Sequence, residues 1–301
     1  MNYQTHINFL FIVPTLNAGK NIIKFSNLFC KQQYKYWRVL FIDGGSSHED
    51  ISFVKKLIEE DKRFGLIRQG IYYKGIFGAM NQGFKLAKDN EYLFFWGSDD
   101  FIFDNNVLEK INKTVIDSLT KNEKKHFYIF KSRYINNVTQ TLSRFSKFPK
   151  EKNNLYLGND YFSFLLFFGQ TPPHQSTLFS PISRKKLNRY EEKYRLSADL
   201  NYFLTLSKLI KVSYSYANIQ IVNISDSGES ANHFYERILN VARIYFNFYG
   251  PIFLVPFLLR YLFKFLSKFK LLPSEILGLF KQISFPVIKY FLFGNNLHIV
   301  L

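Results

Sequence analysis

The amino-acid sequence predicts an α/β fold with a mixed, mostly parallel sheet flanked by helices and a helical, basic C-terminal extension. In the first hundred residues, short apolar runs alternate with helix-like segments, which is the pattern of parallel strands joined by crossover helices. Polar residues directly follow three of these apolar runs. After Tyr249 the sequence becomes aromatic, basic and helical in pattern.

Four apolar runs in the first hundred residues predict strands, and helical patterns lie between them. The predicted strands are Phe9–Val13, Val39–Ile42, Leu66–Arg68 and Tyr92–Trp96. The predicted helices are Asn21–Gln32, Ile51–Asp61 and Gly78–Lys88. In the last helix Ala79, Gly83 and Ala87 recur at helical spacing, so we expect that helix to lie close to the sheet.

The later part of the chain is expected to extend this sheet. The predicted elements are strands at Phe127–Phe130 and Thr177–Phe179, a helix over Tyr161–Phe168, a helical stretch from Glu191, and a strand or strand pair over Val212–Val222.

Composition narrows the classes of function. A chain of 301 residues can form one large domain or two modest ones. The formal charge of +17 favours an anionic partner such as a nucleotide, a phospholipid surface or a nucleic acid. AT-rich coding sequences also produce lysine-rich proteins, so the charge alone does not establish such a partner. Cys30 is the single cysteine, so we expect a reducing, cytoplasmic environment and a buried packing role for its thiol. Because no run of about 18 apolar residues is uninterrupted, we expect no membrane span.

Three polar clusters fall at the ends of predicted strands. They are Pro14-Thr15-Leu16-Asn17, Asp43-Gly44-Gly45-Ser46 and Ser98-Asp99-Asp100. In open α/β sheets, ligands bind where the carboxyl ends of the strands converge. One acidic residue after a strand is usually a helix cap or a turn former, but three clusters in succession favour a binding site.

Four motifs in this order resemble those of family 2 glycosyltransferases with the GT-A fold. The motifs are Val13-Pro14-Thr15-Leu16-Asn17, Ile42-Asp43-Gly44-Gly45-Ser46-Ser47, Lys74-Gly75-Ile76-Phe77-Gly78-Ala79-Met80-Asn81-Gln82-Gly83 and Trp96-Gly97-Ser98-Asp99-Asp100. The resemblance covers residues 1–230 and is strongest to bacterial enzymes of exopolysaccharide or O-antigen synthesis, the colanic-acid type. It implies a nucleotide-sugar half over 1–105, an acceptor half over 106–230 and an extension over 231–301.

The resemblance implies a metal-dependent, inverting transfer from a nucleotide-diphosphate sugar, most naturally a UDP-sugar. The acceptor is expected to be a saccharide or a lipid-linked saccharide used in cell-surface polysaccharide synthesis. Asp100 would hold Mg²⁺ or Mn²⁺ against the diphosphate, and Asp99 would contact the ribose. Asp43 would accept a hydrogen bond from the base, while Pro14, Thr15 and Asn17 line the nucleotide pocket.

Further roles follow from the resemblance, each beside a structural alternative. Lys74 would face a phosphate or be a solvated surface lysine, and Asn81 would belong to the donor site. Asp199 would be the general base that deprotonates the acceptor, or the cap of a helix, or both. His174 and Gln175 would contact the acceptor or the diphosphate, or be structural. The segment Ser225–Ser230 matches a loop that could form a mobile flap over the donor.

The basic extension has two alternative interpretations. Arg260, Lys264 and Lys268 lie four residues apart and would share one helical face, with Pro273 ending that helix before another at Glu275–Gln282. Such a helix suits the surface of an anionic bilayer at the inner face of the cytoplasmic membrane. It could equally pack on the catalytic domain with its basic stripe in water.

Two rival classes of function remain open at this point. A sugar nucleotidyltransferase would carry a glycine-rich triphosphate loop after the first strand, and Asn17-Ala18-Gly19-Lys20 is too short and has too few glycines for that. A non-enzymatic basic protein that binds membrane or nucleic acid would not need acidic clusters at strand ends. We therefore expect no nucleic-acid partner.

Overall fold

A computed structural model of the chain describes residues 5–136, 139–146, 148–150, 161–226 and 233–268. The strands are β1 (Asn8–Thr15), β2 (Trp37–Asp43), β3 (Phe64–Arg68), β4 (Glu91–Phe95), β5 (Phe101–Ile102), β6 (Phe127–Ile135), β7 (Leu142–Phe145), β8 (Thr177–Phe179) and β9 (Tyr214–Ser225). The α-helices are α1 (Gly19–Cys30), α2 (His48–Glu60), α3 (Gly75–Leu86), α4 (Val107–Thr120), α5 (Tyr161–Phe167), α6 (Pro181–Arg184), α7 (Ala198–Leu209), α8 (Phe234–Tyr249) and α9 (Leu254–Lys268). Short 3₁₀ turns cover His174–Ser176 and Gly250–Phe253.

The strands form one mixed sheet in the order β3-β2-β1-β4-β8-β6-β9-β5, with β7 paired to β6. The long ladders, β1 with β2, β1 with β4, β2 with β3 and β6 with β9, are parallel. The antiparallel ladders of β8, β7 and β5 are short. The predicted α/β class with a mixed, mostly parallel sheet is confirmed.

The register of the parallel strands brings their carboxyl ends to one edge of the sheet. Thr15, at the end of β1, lies beside Asp43, at the end of β2. On the other side of β1, Ile12 lies beside Phe95, and the Trp96 N–H donates to the Ile12 carbonyl at 3.1 Å. The residues after β4 therefore emerge next to those after β1 and β2.

Helices cover both faces of the sheet, so its central strands are apolar on both sides. Phe9, Phe11 and Val13 of β1 pack in one core with α1, α2 and α4. Leu10 and Ile12 face the opposite core, which contains residues of α3, α5, α7 and α8. Residues of α9 pack against this second core.

Helix α3 lies against β1, as its small residues predict. A Cβ atom built on Gly83 would lie 2.4 Å from Cγ2 of Ile12, so only glycine fits at this contact. The buried Ala79 belongs to the same core as Ile12.

Two predictions about the fold are wrong in detail. The helix predicted from Glu191 begins only at Ala198, because turns occupy the intervening residues. Cys30 is exposed instead of buried, because it ends α1 on the surface, where its thiol lies 3.8 Å from the Asp61 carboxylate. The strand or strand pair predicted over Val212–Val222 is one strand, Tyr214–Ser225, so the single-strand alternative is confirmed.

The C-terminal helices pack on the rest of the protein. Arg260 of α9 donates from Nη1 to the Gly169 carbonyl at 3.1 Å and to Thr171 Oγ1 at 2.9 Å. The prediction that Arg260 belongs to a solvent- or membrane-facing basic stripe is therefore wrong. The side chains of Lys264 and Lys268, and the predicted break and helix after residue 268, lie outside the described residues.

One helical stretch in the described part of the chain, Phe234–Leu262, is long and apolar enough to cross a bilayer by length and composition. The expectation of no span rested on uninterrupted apolar runs, and this stretch contains a few charged residues. About 22% of its most apolar window is buried inside the protein.

Candidate functional site

A cleft of about 550 Å³ opens at the carboxyl ends of the strands. Five of the predicted site residues line it together: Asp99, Asp100, His174, Gln175 and Asp199. They come from the turn after β4, the 3₁₀ turn before β8 and the start of α7. Residues distant in sequence thus meet because their elements end at the same edge.

The turn after β4 holds two carboxylates side by side. Asp100 is 2% exposed, and its Oδ2 accepts a hydrogen bond from the Gly97 N–H at 2.6 Å. The Asp100 N–H donates to the Gly97 carbonyl at 3.2 Å, which closes the turn. A Cβ on Gly97 would lie 2.6 Å from Oδ1 of Asp99, so a larger residue here would clash with the acidic pair.

Burial and then the neighbouring charge of Asp99 raise the pKa of Asp100 well above its ordinary value. A buried carboxylate beside a second one is stabilised in its charged form by a cation. No cluster of three or more acidic, histidine or cysteine side chains able to hold a metal occurs within the described residues. The Asp pair fits Mg²⁺ or Mn²⁺ only if substrate oxygens and water complete the coordination, which is how Mg²⁺ is commonly bound.

The loops after β1 and β2 are joined by hydrogen bonds. Asn17, with a left-handed φ of 50°, accepts at Oδ1 from the Ser47 N–H at 3.0 Å, and its own N–H donates to Ser46 Oγ at 2.9 Å. The Asp43 carboxylate is 3% exposed and accepts from the N–H groups of Gly45 at 3.1 Å and Ser46 at 3.0 Å. Because each carboxylate oxygen has two lone pairs, Asp43 can still accept a further hydrogen bond.

The predicted nucleotide-pocket residues lie beside the cleft, along the same edge of the sheet. Pro14 and Thr15 end β1, and Thr15 is 6% exposed beside Asp43. None of Pro14, Thr15, Asn17 and Asp43 lines the cleft itself. The site therefore has two parts, a loop platform after β1 and β2 and an acidic cleft after β4.

Asn81 and Lys74 connect α3 to the segment before α7. The Asn81 amide donates to the Tyr190 carbonyl at 2.9 Å and to Glu192 Oε1 at 3.0 Å, and it accepts from the Tyr190 N–H at 2.6 Å. The Lys74 N–H donates to Glu192 Oε2 at 2.9 Å, while its side chain is exposed. The donor contact predicted for Asn81 does not match these surroundings, because both of its amide hydrogens are already engaged. Lys74 fits the alternative of a solvated lysine.

Asp199 is the second residue of α7, where it lines the cleft. The N-cap position belongs to Ser197, so Asp199 does not occupy the position that caps the helix. Its half-buried carboxylate has no hydrogen-bond partner among the described residues. Asp199 therefore presents to the cleft a carboxylate without a hydrogen-bond partner. The partial positive charge at the N-terminus of α7 favours a negative side chain at this position.

His174 is held in a cage of aromatic rings. Its ring stacks on Phe95 with centroids 5.6 Å apart, and Nε2 lies 2.8 Å from the Tyr190 hydroxyl. Burial lowers the pKa of His174 below its ordinary value of 6.5, against the opposing effect of the Asp199 charge. The imidazole is therefore neutral at pH 7. The Gln175 carbonyl accepts from Trp96 Nε1 at 2.6 Å, which fixes the turn that carries both residues.

Sequence reasoning missed a set of arginines that line the same cleft. They are Arg144, Arg195, Arg237 and Arg260. Arg144 stacks over the Tyr134 ring at 3.7 Å, and Arg195 lies 3.9 Å from Glu236. These residues lie on β7, α8, α9 and the turn before α7, and no local motif in the sequence brings them together.

Comparison with known proteins identifies the family of the chain and structures that share its fold. The chain matches the family described as glycosyl transferase family 2 over residues 10–171, which is more than half of its 301 residues. No curated protein matches the chain in sequence.

Several solved structures share the fold at low identity. TarS 1–349 from S. aureus in complex with UDP is 18% identical, with a TM-score of 0.55 over 80% of this chain and 66% of that one. A mannosyltransferase from Pyrobaculum calidifontis, with GDP-Man and Mn²⁺, is 12% identical, with a TM-score of 0.53 over 85% and 70%. GalNAc-T7 with UDP, GalNAc and Mn²⁺ is 11% identical, with a TM-score of 0.58 over 83% and 49%. The chain thus spans slightly under two thirds of TarS 1–349 and 40% of the longer TarS structure.

Replacing Asn81 with leucine tests its structural role. The substitution leaves the buried Tyr190 backbone groups without partners, so we expect the free energy of unfolding to fall by about 1–3 kcal/mol. Denaturant unfolding measures this change, and calorimetry of the folded variant should show unchanged nucleotide affinity. Lys85→Ala, on the exposed side of the same helix, is the control. Loss of nucleotide affinity at unchanged stability would instead make Asn81 a ligand of the donor.

Proposed function

Because the chain belongs to glycosyl transferase family 2, we propose that it transfers a sugar, with inversion, from a nucleotide diphosphate to a saccharide or lipid-linked saccharide. The observation that carries this proposal is one cleft that holds an acidic pair, buried Asp100 and half-buried Asp99, and an unpaired carboxylate, Asp199, on a different element. The pair suits the diphosphate and the single carboxylate suits the acceptor.

The loop platform after β1 and β2 receives the nucleoside. Asp43 has lone pairs to accept from uracil N3–H, and because it is buried, a base that presents an acceptor in place of this donor is disfavoured. Pro14, Thr15 and Asn17 border the base, and Asp99 contacts the ribose. A uridine donor also agrees with UDP or UDP-GlcNAc in the TarS structures and UDP in GalNAc-T7, whereas the mannosyltransferase carries GDP-Man.

Asp100, with Asp99 beside it, would hold Mg²⁺ or Mn²⁺ together with diphosphate oxygens. The ion would supply charge that stabilises the departing diphosphate. Beside it, the charged form of Asp100 would be favoured despite the burial and the Asp99 charge that raise the pKa of Asp100. Mn²⁺ accompanies the donor in the mannosyltransferase and in GalNAc-T7.

Asp199 acts as the general base. The acceptor hydroxyl oxygen forms a bond to the anomeric carbon as the bond from that carbon to the diphosphate oxygen breaks. The hydroxyl proton passes to the Asp199 carboxylate, and the electron pair of the broken bond leaves with the nucleoside diphosphate. Neutral His174 and the adjoining Gln175 position the acceptor or the diphosphate between these carboxylates.

The proposed setting is cell-surface polysaccharide synthesis of the exopolysaccharide or O-antigen kind, on the cytoplasmic side of the membrane. Arginines from α8 and α9 border the cleft, which suits an acceptor that carries phosphate. A sugar nucleotidyltransferase and a non-enzymatic basic binding protein fit less well. Asn17 joins two loops instead of opening a triphosphate loop, and the family is one of glycosyl transferases.

Asp100→Asn tests the metal assignment. With the native protein, we expect UDP to raise the melting temperature more strongly when Mn²⁺ is present than when EDTA is present. The variant should lose this difference, because the carboxylate that holds the ion is gone. Asp117→Asn, on the exposed side of α4, serves as the control and should behave like the native protein. A variant whose UDP response still depends on Mn²⁺ would remove Asp100 from the metal site.

Asp199→Asn tests the base. We expect UDP affinity to be retained, while transfer of sugar from a UDP-sugar falls by about 10²–10⁴-fold, the usual contribution of general base catalysis. Calorimetry measures binding, and release of UDP in a coupled assay measures turnover. Unchanged turnover would exclude Asp199 as the base, and loss of UDP binding would make it a donor ligand.

A further inference from the structure

The outer face of α8 and α9 is apolar, although their inner face already packs on the protein. Phe257, Leu259 and Tyr261 of α9 contact the core. The opposite side of the same helix exposes leucine and valine instead of charged residues: Leu254, Val255, Leu258 and Leu262, which are 47–61% exposed. A surface helix normally carries polar residues on its outer face, so a helix that is apolar on both faces is expected to be covered.

Helix α8 continues this exposed apolar surface. Its outward residues are Phe234, Tyr235, Leu239 and Phe246, with Ile252 in the 3₁₀ turn that joins the two helices. We call these residues and the four exposed residues of α9 the outer apolar face. Large exposed aromatic and aliphatic side chains of this kind suit the boundary between lipid headgroups and acyl chains.

Basic residues stand at the edge of the outer apolar face. Lys193 and Arg243 line a concavity of about 490 Å³ together with Tyr194, Phe246, Asn247 and Phe253. No ion pair to either cation is found within the described part of the chain. In the sequence of residues 234–268, Glu236 is the only acidic residue, and it lies 3.9 Å from Arg195. The surface therefore combines apolar side chains with uncompensated positive charge.

We propose that the outer apolar face binds the surface of an anionic phospholipid bilayer, with Lys193 and Arg243 contacting headgroup phosphates. Charge decides between this partner and a second copy of the chain. A two-fold interface would bring the same cations of two copies, each with a formal charge of +17, toward one another. An anionic bilayer instead complements that charge.

The helices lie on the bilayer and do not cross it. Val241, Ile244 and Tyr245 of α8 are buried in the protein core. Arg260 of α9 is held by the Gly169 carbonyl and Thr171. Moving these helices across the membrane would break the contacts, whereas interfacial binding leaves them intact. Since Arg237 and Arg260 also line the cleft, bilayer binding brings the acceptor side of the cleft to the lipid surface.

Sedimentation of the full chain with vesicles tests the proposal. We expect binding to vesicles of equal parts phosphatidylcholine and phosphatidylglycerol, weak binding to phosphatidylcholine alone, and a decrease with added salt. Leu258→Glu should weaken binding by about tenfold or more, because it replaces an apolar side chain that the bilayer would bury with a negative charge that the anionic lipid repels. Ile23→Glu, on α1 across the sheet, is the matched control and should bind like the native protein.

Arg243→Glu provides a second, independent variant that does not disturb apolar packing. It should reduce binding to the anionic vesicles, while Lys56→Glu on the exposed side of α2 should not. In all four variants the rise in melting temperature caused by UDP should remain native, so failure of membrane binding is distinguishable from failure of the proposed transferase function.

Four outcomes would overturn the proposal. Leu258→Glu could bind vesicles like the native protein, or Ile23→Glu could lose binding equally. The native chain could also form a dimer that Leu258→Glu dissociates, which would make the outer apolar face a self-association surface. A large fall in melting temperature for Leu258→Glu would show that another part of the chain covers this face.

Discussion

Strand β1 pairs in parallel with β2 on one side and β4 on the other, and this pairing determines where the chemistry of the protein can occur. Because all three strands run in the same direction, their polar ends must lie along one edge of the sheet. The apolar strands behind that edge are buried on both faces, so the carboxylates that follow them sit at the boundary between core and solvent. The burial of Asp43 and Asp100 is a consequence of this register.

The two halves of the site differ in how they are built. In the loop platform after β1 and β2, Asn17 and Asp43 use their side chains to shape loops, so the platform is largely made by local hydrogen bonds. In the acidic cleft, Asp199, His174 and Arg260 come from separate elements that only tertiary packing brings together. The C-terminal helices therefore complete the cleft and are not a separate appendage. Their outward side is left free to contact a lipid surface.

Much of the fold could be predicted because its central strands are continuous apolar runs closed by polar residues. The same feature located Asp43, Asp99 and Asp100 at the carboxyl ends of the parallel strands. The two-residue strand β5 and the exposed strand β7 were missed, since neither has enough apolar residues to form a pattern. Contacts between residues that are distant in sequence also could not be predicted from a local sequence pattern. Asn81 joins Tyr190, and Arg260 reaches Gly169, across 109 and 91 residues respectively.

In the proposed site, a nucleotide diphosphate binds with its base at Asp43 and its phosphates, with a divalent ion, at Asp100. The most direct test is a crystal structure of the protein with UDP and Mn²⁺, with anomalous diffraction used to locate the ion. We expect an anomalous peak within coordination distance of the Asp100 carboxylate, and uracil N3 within hydrogen-bond distance of Asp43. A peak away from the Asp99-Asp100 turn, or a uracil that does not contact Asp43, would overturn this assignment of the site.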